Sequence, residues 1–223
     1  MEKKKVFVAL LNMGEVRAGI ESSLVEWMGQ KTDKYKFNFF LRKEVPTSSN
    51  RNHIVKDFLA GDWDYLAMFD DDNLPLRNPF DLLDFDKDVI GCVYPGWGES
   101  GLRFHVYKEV KKDGKYIYIQ YPPEERNGLM RVDAVATGGI FIKRRVLQGL
   151  VAPFSYQFDF DGIITMGDDV NFCNMCNRAG FEIWAHWNFV CEHYKVVPLL
   201  QVANLIYKAA KTGVATISGP VLK

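Results

Sequence analysis

The chain has 223 residues, enough for one large α/β domain with a sizeable core. Apolar residues make up 48% and charged residues 25%, and 28 basic side chains balance 28 acidic ones. That composition gives no global field to draw the protein to nucleic acid or anionic lipid. The opening Met1-Glu2-Lys3-Lys4-Lys5 leads into a short apolar run, and no run approaches the ~18 residues of a bilayer span. A cytoplasmic protein without a transmembrane segment is expected.

In chain order, Val6 to Leu11 reads as a fully buried strand, Asn12-Met13-Gly14 as a turn, and Val16 to Met28 as a helix. Lys36 to Leu41 predicts a second strand. Arg42 to Asn50, with Pro46 and three hydroxyl residues, predicts a loop. Asn52 to Leu59 is a second helix closed by Gly61. Tyr65 to Phe69 is a buried strand, stopped by the turn formers Asn73, Leu74 and Pro75. Val89 to Tyr94 is another strand, and Tyr116 to Tyr121 is one arm of a hairpin after Asp113-Gly114. Short strands at Val132 to Ala136 and Ile140 to Ile142 flank Thr137-Gly138-Gly139. A helix over Asp168 to Ala179, a strand over Glu182 to Trp187 and a terminal helix over Pro198 to Lys211 complete the order. Alternating β and α elements in the first hundred residues predict a mostly parallel central sheet flanked by helices, with a smaller, mixed second half.

Asp70-Asp71-Asp72 sits at the carboxyl end of a predicted central strand, the edge where open α/β sheets bind ligands. Asp70 and Asp72 point to opposite sides of an ideal strand, and a turn brings them together. Hard carboxylate oxygens suit Mg²⁺ or Mn²⁺ shared with substrate phosphates. A solvated acidic turn is the plain alternative.

Other residue sets carry chemistry with a plain alternative of their own. Cys173-x-x-Cys176 followed by Cys191-x-His193 imitates a zinc ligand set, but Cys173 and Cys176 at helical spacing also read as small core residues. Gly167-Asp168-Asp169 opens a helix, so one aspartate caps it and the other is left for chemistry. Thr137-Gly138-Gly139 allows close backbone approach to a ligand or makes a tight inter-strand turn. Arg51 and Asn52 are candidates for a diphosphate or base, with an ordinary surface charge as the alternative for Arg51. Trp97, amid the glycines of residues 94–101, offers a face for sugar C–H groups, or lies on an exposed crossing segment.

Four blocks together resemble a glycosyltransferase of the GT-A fold, close to the family 2 type. They are Val6 to Gly14, Thr47 to Asn52 leading into Asp70-Asp71-Asp72-Asn73, Ala136 to Arg144, and Gly167-Asp168-Asp169 through Gly180-Phe181-Glu182-Ile183-Trp184. In the last block Asp168 stands where the family usually has Glu. The resemblance implies a single GT-A-like domain over 1–223, with a nucleotide-binding half (1–100) and an acceptor-binding half (101–223). It implies a nucleoside diphosphate sugar donor, with UDP-sugar preferred. The acceptor is an unidentified hydroxyl on a glycan, lipid-linked sugar, protein or modified nucleic acid base. It implies Mn²⁺ or Mg²⁺ on Asp72 and His193, and a donor contacted by Asn12, Arg51, Asn52, Asp70, Asp71, Gly138 and Gly139. Asp169 is then the base of an inverting transfer, with Asp168 capping the helix or touching the acceptor. A metal-dependent nucleotidyltransferase and a non-catalytic, zinc-stapled interaction module are the readings from other classes.

Overall fold

A computed structural model describes residues 2–12, 19–98 and 101–211. Its elements run β1 (Lys4–Asn12), α1 (Ile20–Gly29), β2 (Tyr35–Lys43), α2 (Thr47–Ala60), β3 (Tyr65–Asp70), β4 (Asn73–Pro75), β5 (Val89–Val93), β6 (Pro95–Gly98), β7 (Gly101–Phe104) and β8 (Val106–Lys112). Then come β9 (Lys115–Gln120), β10 (Leu129–Val132), β11 (Ala134–Val135), β12 (Gly139–Lys143), α3 (Arg144–Gln148), β13 (Gln157–Phe158), β14 (Ile164–Met166), α4 (Asp168–Arg178), β15 (Ile183–His193) and α5 (Leu199–Lys211). The expected turn at Met13-Gly14 and the expected helix start at Val16 lie outside the described residues.

The main sheet runs β10-β15-β5-β12-β3-β1-β2, with β4 paired to β15. β1 pairs in parallel with β2 and β3, and β5 pairs in parallel with β15. β12 is antiparallel to both β3 and β5, and β10 and β4 are antiparallel to β15. The sheet is therefore mixed, which corrects the mostly parallel expectation. β12 is a short apolar run buried on both faces. Such a run reads alike in either direction, because periodicity carries no information about strand polarity. β12 lies between β3 and β5 in the sheet, so strands from both sides of residue 100 share it. Contacts divide the chain into residues 1–193 and 194–223.

Strict alternation in the central strands feeds two cores. Phe7, Ala9 and Leu11 of β1, Leu66 and Met68 of β3, and Ile140 and Ile142 of β12 pack on one face. Ile54, Val55 and Phe58 of α2, Val146 and Leu147 of α3, and Phe172, Cys173 and Cys176 of α4 cover that face. Val6, Val8 and Leu10, with Ala67, Phe69 and Phe141, point the other way. There they meet Ile20, Leu24 and Met28 of α1 and Phe80, Leu82 and Leu83 of a 3-10 segment, Pro79–Phe85. This is a helix–sheet–helix sandwich. The expected β8/β9 hairpin forms, with Asp113 at φ 50° and Gly114 at φ 77°, the left-handed pair that a two-residue type I′ turn needs.

Three elements differ from expectation. The strand expected over Val132 to Ala136 divides into β10, in the main sheet, and β11, which pairs with β8. α2 begins at Thr47, inside the expected loop, because its first turns are polar and hide the helical period. β15 continues past Trp187 to His193, and Asn73–Pro75 leaves the acidic turn to form β4 against it.

Candidate functional site

β1, β2, β3, β5 and β15 share one direction, so their carboxyl ends share one edge. Asn12 ends β1, Asp70 ends β3, Tyr94 follows β5 and His193 ends β15. Thr137 and Gly138 lead into β12 at the same edge, where Asp70 N–H donates to the Gly138 carbonyl at 3.3 Å. Asp71 N–H donates to the Leu11 carbonyl at 3.0 Å, tying the acidic turn to β1.

Asp70 has the same strand parity as Leu66 and Met68, so its carboxylate faces the layer of α2 and α4. There it meets Arg51. Arg51 Nη2 lies 3.1 Å from Asp70 Oδ2, and Nη1 lies 2.8 Å from Asp168 Oδ2. Arg51 is 6% exposed. Burial opposes its charge, but Asp70 and Asp168 outweigh that and hold the guanidinium pKa above its usual value. Arg51 is therefore a strut between the acidic turn and the start of α4, with both terminal nitrogens engaged.

Asn52 is likewise engaged within the protein. Its Nδ2 donates to the Phe154 carbonyl at 2.6 Å and its Oδ1 accepts from Phe154 N–H at 3.1 Å, which pins the segment before β13 over α2. One Nδ2 hydrogen and one Oδ1 lone pair are not used by this pair of bonds.

Asp72 and His193 come together as expected. The register of β4 on β15 sets His193 opposite Asn73, next to Asp72. His193 Nε2 lies 3.4 Å from Asp72 Oδ2, while Asn73 Nδ2 donates to Asp72 Oδ1 at 2.9 Å. His193 Nδ1 lies 2.7 Å from the Pro95 carbonyl. A carbonyl can only accept, so Nδ1 carries the proton, and Nε2 is turned to the carboxylate. Asn73 is fully buried and its Oδ1 has no hydrogen-bond partner.

Asp168 does not cap α4: Gly167 is the N-cap, and no side chain bonds across it. Asp168 is instead buried against Arg51. Asp169 Oδ1 accepts from Val170 N–H at 2.8 Å. Burial pushes the Asp169 carboxyl above the usual carboxylate range, opposed by the Val170 amide and Arg51. Its charge is felt at Tyr94 and Tyr107, whose hydroxyls are raised first by burial and then by nearby carboxylates.

Gly138 and Gly139 serve packing. A Cβ on Gly138 would lie 2.5 Å from Asn73 Nδ2 and 2.9 Å from Tyr94 Oη, and one on Gly139 would lie 3.2 Å from Cys92 Cβ. Gly138 N–H donates to Tyr94 Oη at 3.1 Å. Residues 99–100 and the side chain of Trp97 lie outside the described residues.

Sequence reasoning missed Tyr94, His105 and Tyr107. His105 Nδ1 lies 3.0 Å from Tyr107 Oη, and the His105 ring is 5.3 Å from Tyr94 and 6.2 Å from His193. A Cβ on Gly96 would collide with His105 Nε2, so the β6/β7 hairpin closes directly over this ring. These rings join the Asp72–His193 side of the edge to the Asp169 side. No apolar period marks them. The sequence signal was the glycine at 96, required by a close neighbour.

The cysteines do not form a site. Cys173 and Cys176 lie in one core and Cys191 in the other, on the opposite face of the sheet. Burial pushes the Cys173 thiol up to about 12. Among the described residues no three His, Cys, Asp or Glu side chains converge as a ready-made metal cage. A cavity of about 300 Å³ among Phe7, Phe40, Ile54 and Trp63 contains none of the edge residues.

No protein-family model matches the chain, and no curated protein matches it by sequence. In fold the chain is similar to the crystal structure of A197 from STIV, with a TM-score of 0.58 at 19% identity over 86% of each chain. At that identity the likeness is one of fold.

Proposed function

We propose that the protein is a metal-dependent glycosyltransferase of the GT-A type. In this reading it moves a sugar from a nucleoside diphosphate sugar, with UDP-sugar preferred, to a hydroxyl acceptor with inversion. The observation that carries the reading is the Asp72–His193 pair. A metal-ligating histidine ordinarily donates its second ring N–H to a carbonyl or carboxylate, which fixes the other nitrogen toward the ion. His193 has that arrangement, through Pro95, with Nε2 aimed at a carboxylate. Two protein ligands with the remaining positions left to phosphate oxygens and water is also how Mg²⁺ and Mn²⁺ are usually held with nucleotides. Asp72 and His193 would hold the ion, which when bound offsets the charge building on the leaving diphosphate.

The protein's own groups do the rest. Arg51 holds Asp70 and Asp168 at fixed separation, so the acidic turn and the start of α4 stay in register. Asp169 takes the proton of the acceptor hydroxyl as its oxygen bonds to the anomeric carbon and the carbon–diphosphate bond breaks on the far side. Burial raises its pKa, which makes it a stronger base than an exposed aspartate. Tyr94, His105 and Tyr107 wall the space between the two ends.

The test is a thermal-shift screen of nucleoside diphosphate sugars with and without Mn²⁺. A rise in Tm that grows with ligand concentration and requires the metal is expected. Stabilisation by nucleoside triphosphates alone would move the reading to nucleotidyl transfer, and no stabilisation by any nucleotide would refute it.

A further inference from the structure

We propose that helix α5 docks on an anionic lipid surface through its apolar face. α5 begins after Pro198, and Leu199, Val202 and Ile206 recur at the spacing of one helical face, while Asn204, Lys208 and Lys211 occupy the opposite one. Leu200 and Tyr207 flank the apolar face. Leu199 is 83% exposed, Leu200 73%, Tyr207 61% and Ile206 50%, and Val196 just before the helix is 97% exposed. Apolar exposure of this density along thirteen residues needs a partner.

Charge selects the kind of partner. After Glu192 the sequence contains no acidic residue, yet it carries Lys195, Lys208, Lys211 and Lys223. The chain is neutral overall, so this basic segment is set against a net acidic remainder. The neutral total conceals the segregation. A protein groove for such a helix would have to be both apolar and acidic, and a nucleic acid offers nothing apolar to Leu199 and Ile206. An anionic membrane interface satisfies both faces: apolar side chains enter the acyl boundary, lysines stay at the headgroups, and an aromatic such as Tyr207 sits between. Among the described residues no helix is long and apolar enough to cross a bilayer. The mode is therefore to lie in the interface.

The full chain is mixed with vesicles of phosphatidylcholine and phosphatidylglycerol, or of phosphatidylcholine alone, and sedimented. Binding to the mixed vesicles is expected, weakened by salt and by omission of the anionic lipid. Each lysine near the surface contributes about fivefold in affinity, so Lys208→Glu with Lys211→Glu should weaken binding by at least ~10-fold. Leu199→Glu with Ile206→Glu should abolish it while the thermal transition stays as in the parent. If that pair fails to fold, Ile206→Ser serves, with a partial loss expected. No vesicle binding, binding indifferent to lipid charge, or binding unchanged in the apolar variants would overturn the proposal. So would retention on RNA without vesicle binding, or self-association without vesicle binding that the apolar variants abolish.

Discussion

Replacing Arg51 with methionine keeps much of the side-chain volume and removes the charge that holds two carboxylates together. Asp168 and Asp70 side chains are 9% and 22% exposed, and each lies within 3.1 Å of a guanidinium nitrogen. Water cannot replace what the guanidinium supplies to Asp168. Breaking a buried pair by removing one partner costs about 3–5 kcal/mol. At about 2–4 °C per kcal/mol for a unit of this size, Tm should fall by roughly 6–20 °C. Arg51→Met with Asp168→Asn removes one of the two stranded charges and should recover part of the loss. The assay is thermal unfolding of parent, single and double variants. A loss below about 1 kcal/mol, or no recovery in the double variant, would place Arg51 among exposed ion pairs and refute the strut. Weakened nucleotide binding at unchanged Tm would restore its role as a donor contact.

Asp169→Asn should leave donor affinity near normal and lower transfer by at least ~10²-fold; product analysis should show an inverted anomeric centre, and retention would remove Asp169 from its role. Because burial raises the Asp169 carboxyl, the parent should lose activity on the acid side at a pH above the ~3.9 of an ordinary aspartate, and the measured pH profile checks this. Asp72→Ala and His193→Ala should each remove the Mn²⁺-dependent part of nucleotide binding; titration calorimetry with and without Mn²⁺ reads this out. Gly138→Ala forces a Cβ to within 2.5 Å of Asn73 Nδ2, and should cost about 1–3 kcal/mol in stability together with weaker metal-dependent binding, since Asn73 also holds Asp72.

The strands were legible because burial on both faces leaves a continuous apolar run whose alternation then assigns each side chain to a core. Phe7 against Val8 and Leu66 against Ala67 follow that rule directly. Strand direction was not legible. Ile140-Phe141-Ile142 is as apolar as Leu66-Ala67-Met68, and only the fold's connectivity sets β12 antiparallel beside β3. Helix α2 was legible only where its apolar residues begin. Its buried stripe extends back from Phe58 through Val55 and Ile54 to Arg51, so a charged residue on a core-facing stripe was the available sign of a buried ion pair. Reading Arg51 by motif position instead of by helical phase hid that sign.

The site divides along the same line between what spacing encodes and what pairing encodes. Asp70 and Asp72 were singled out because the aspartate triplet ends an apolar strand, at the edge where open α/β sheets bind ligands. His193 was found by family position, but the cause of its placement is the antiparallel step of β4 on β15, which no local pattern announces. His105 and Tyr107 are further from legibility. They lie at the start of β8, a largely polar strand in which only Val106 is buried, and His105 is held by packing on Gly96 and Tyr94. Their placement suggests a division of labour. The Asp–Arg–Asp strut fixes the two acidic ends through charge, where distance matters most. The rings of Tyr94, His105 and His193 fill the space between them by shape. A charge lattice tolerates little displacement in a dry site, whereas ring contacts tolerate small shifts. Selectivity for the sugar is therefore expected to respond to changes at His105 and Tyr107, and the capacity to assemble the site at all to changes at Arg51.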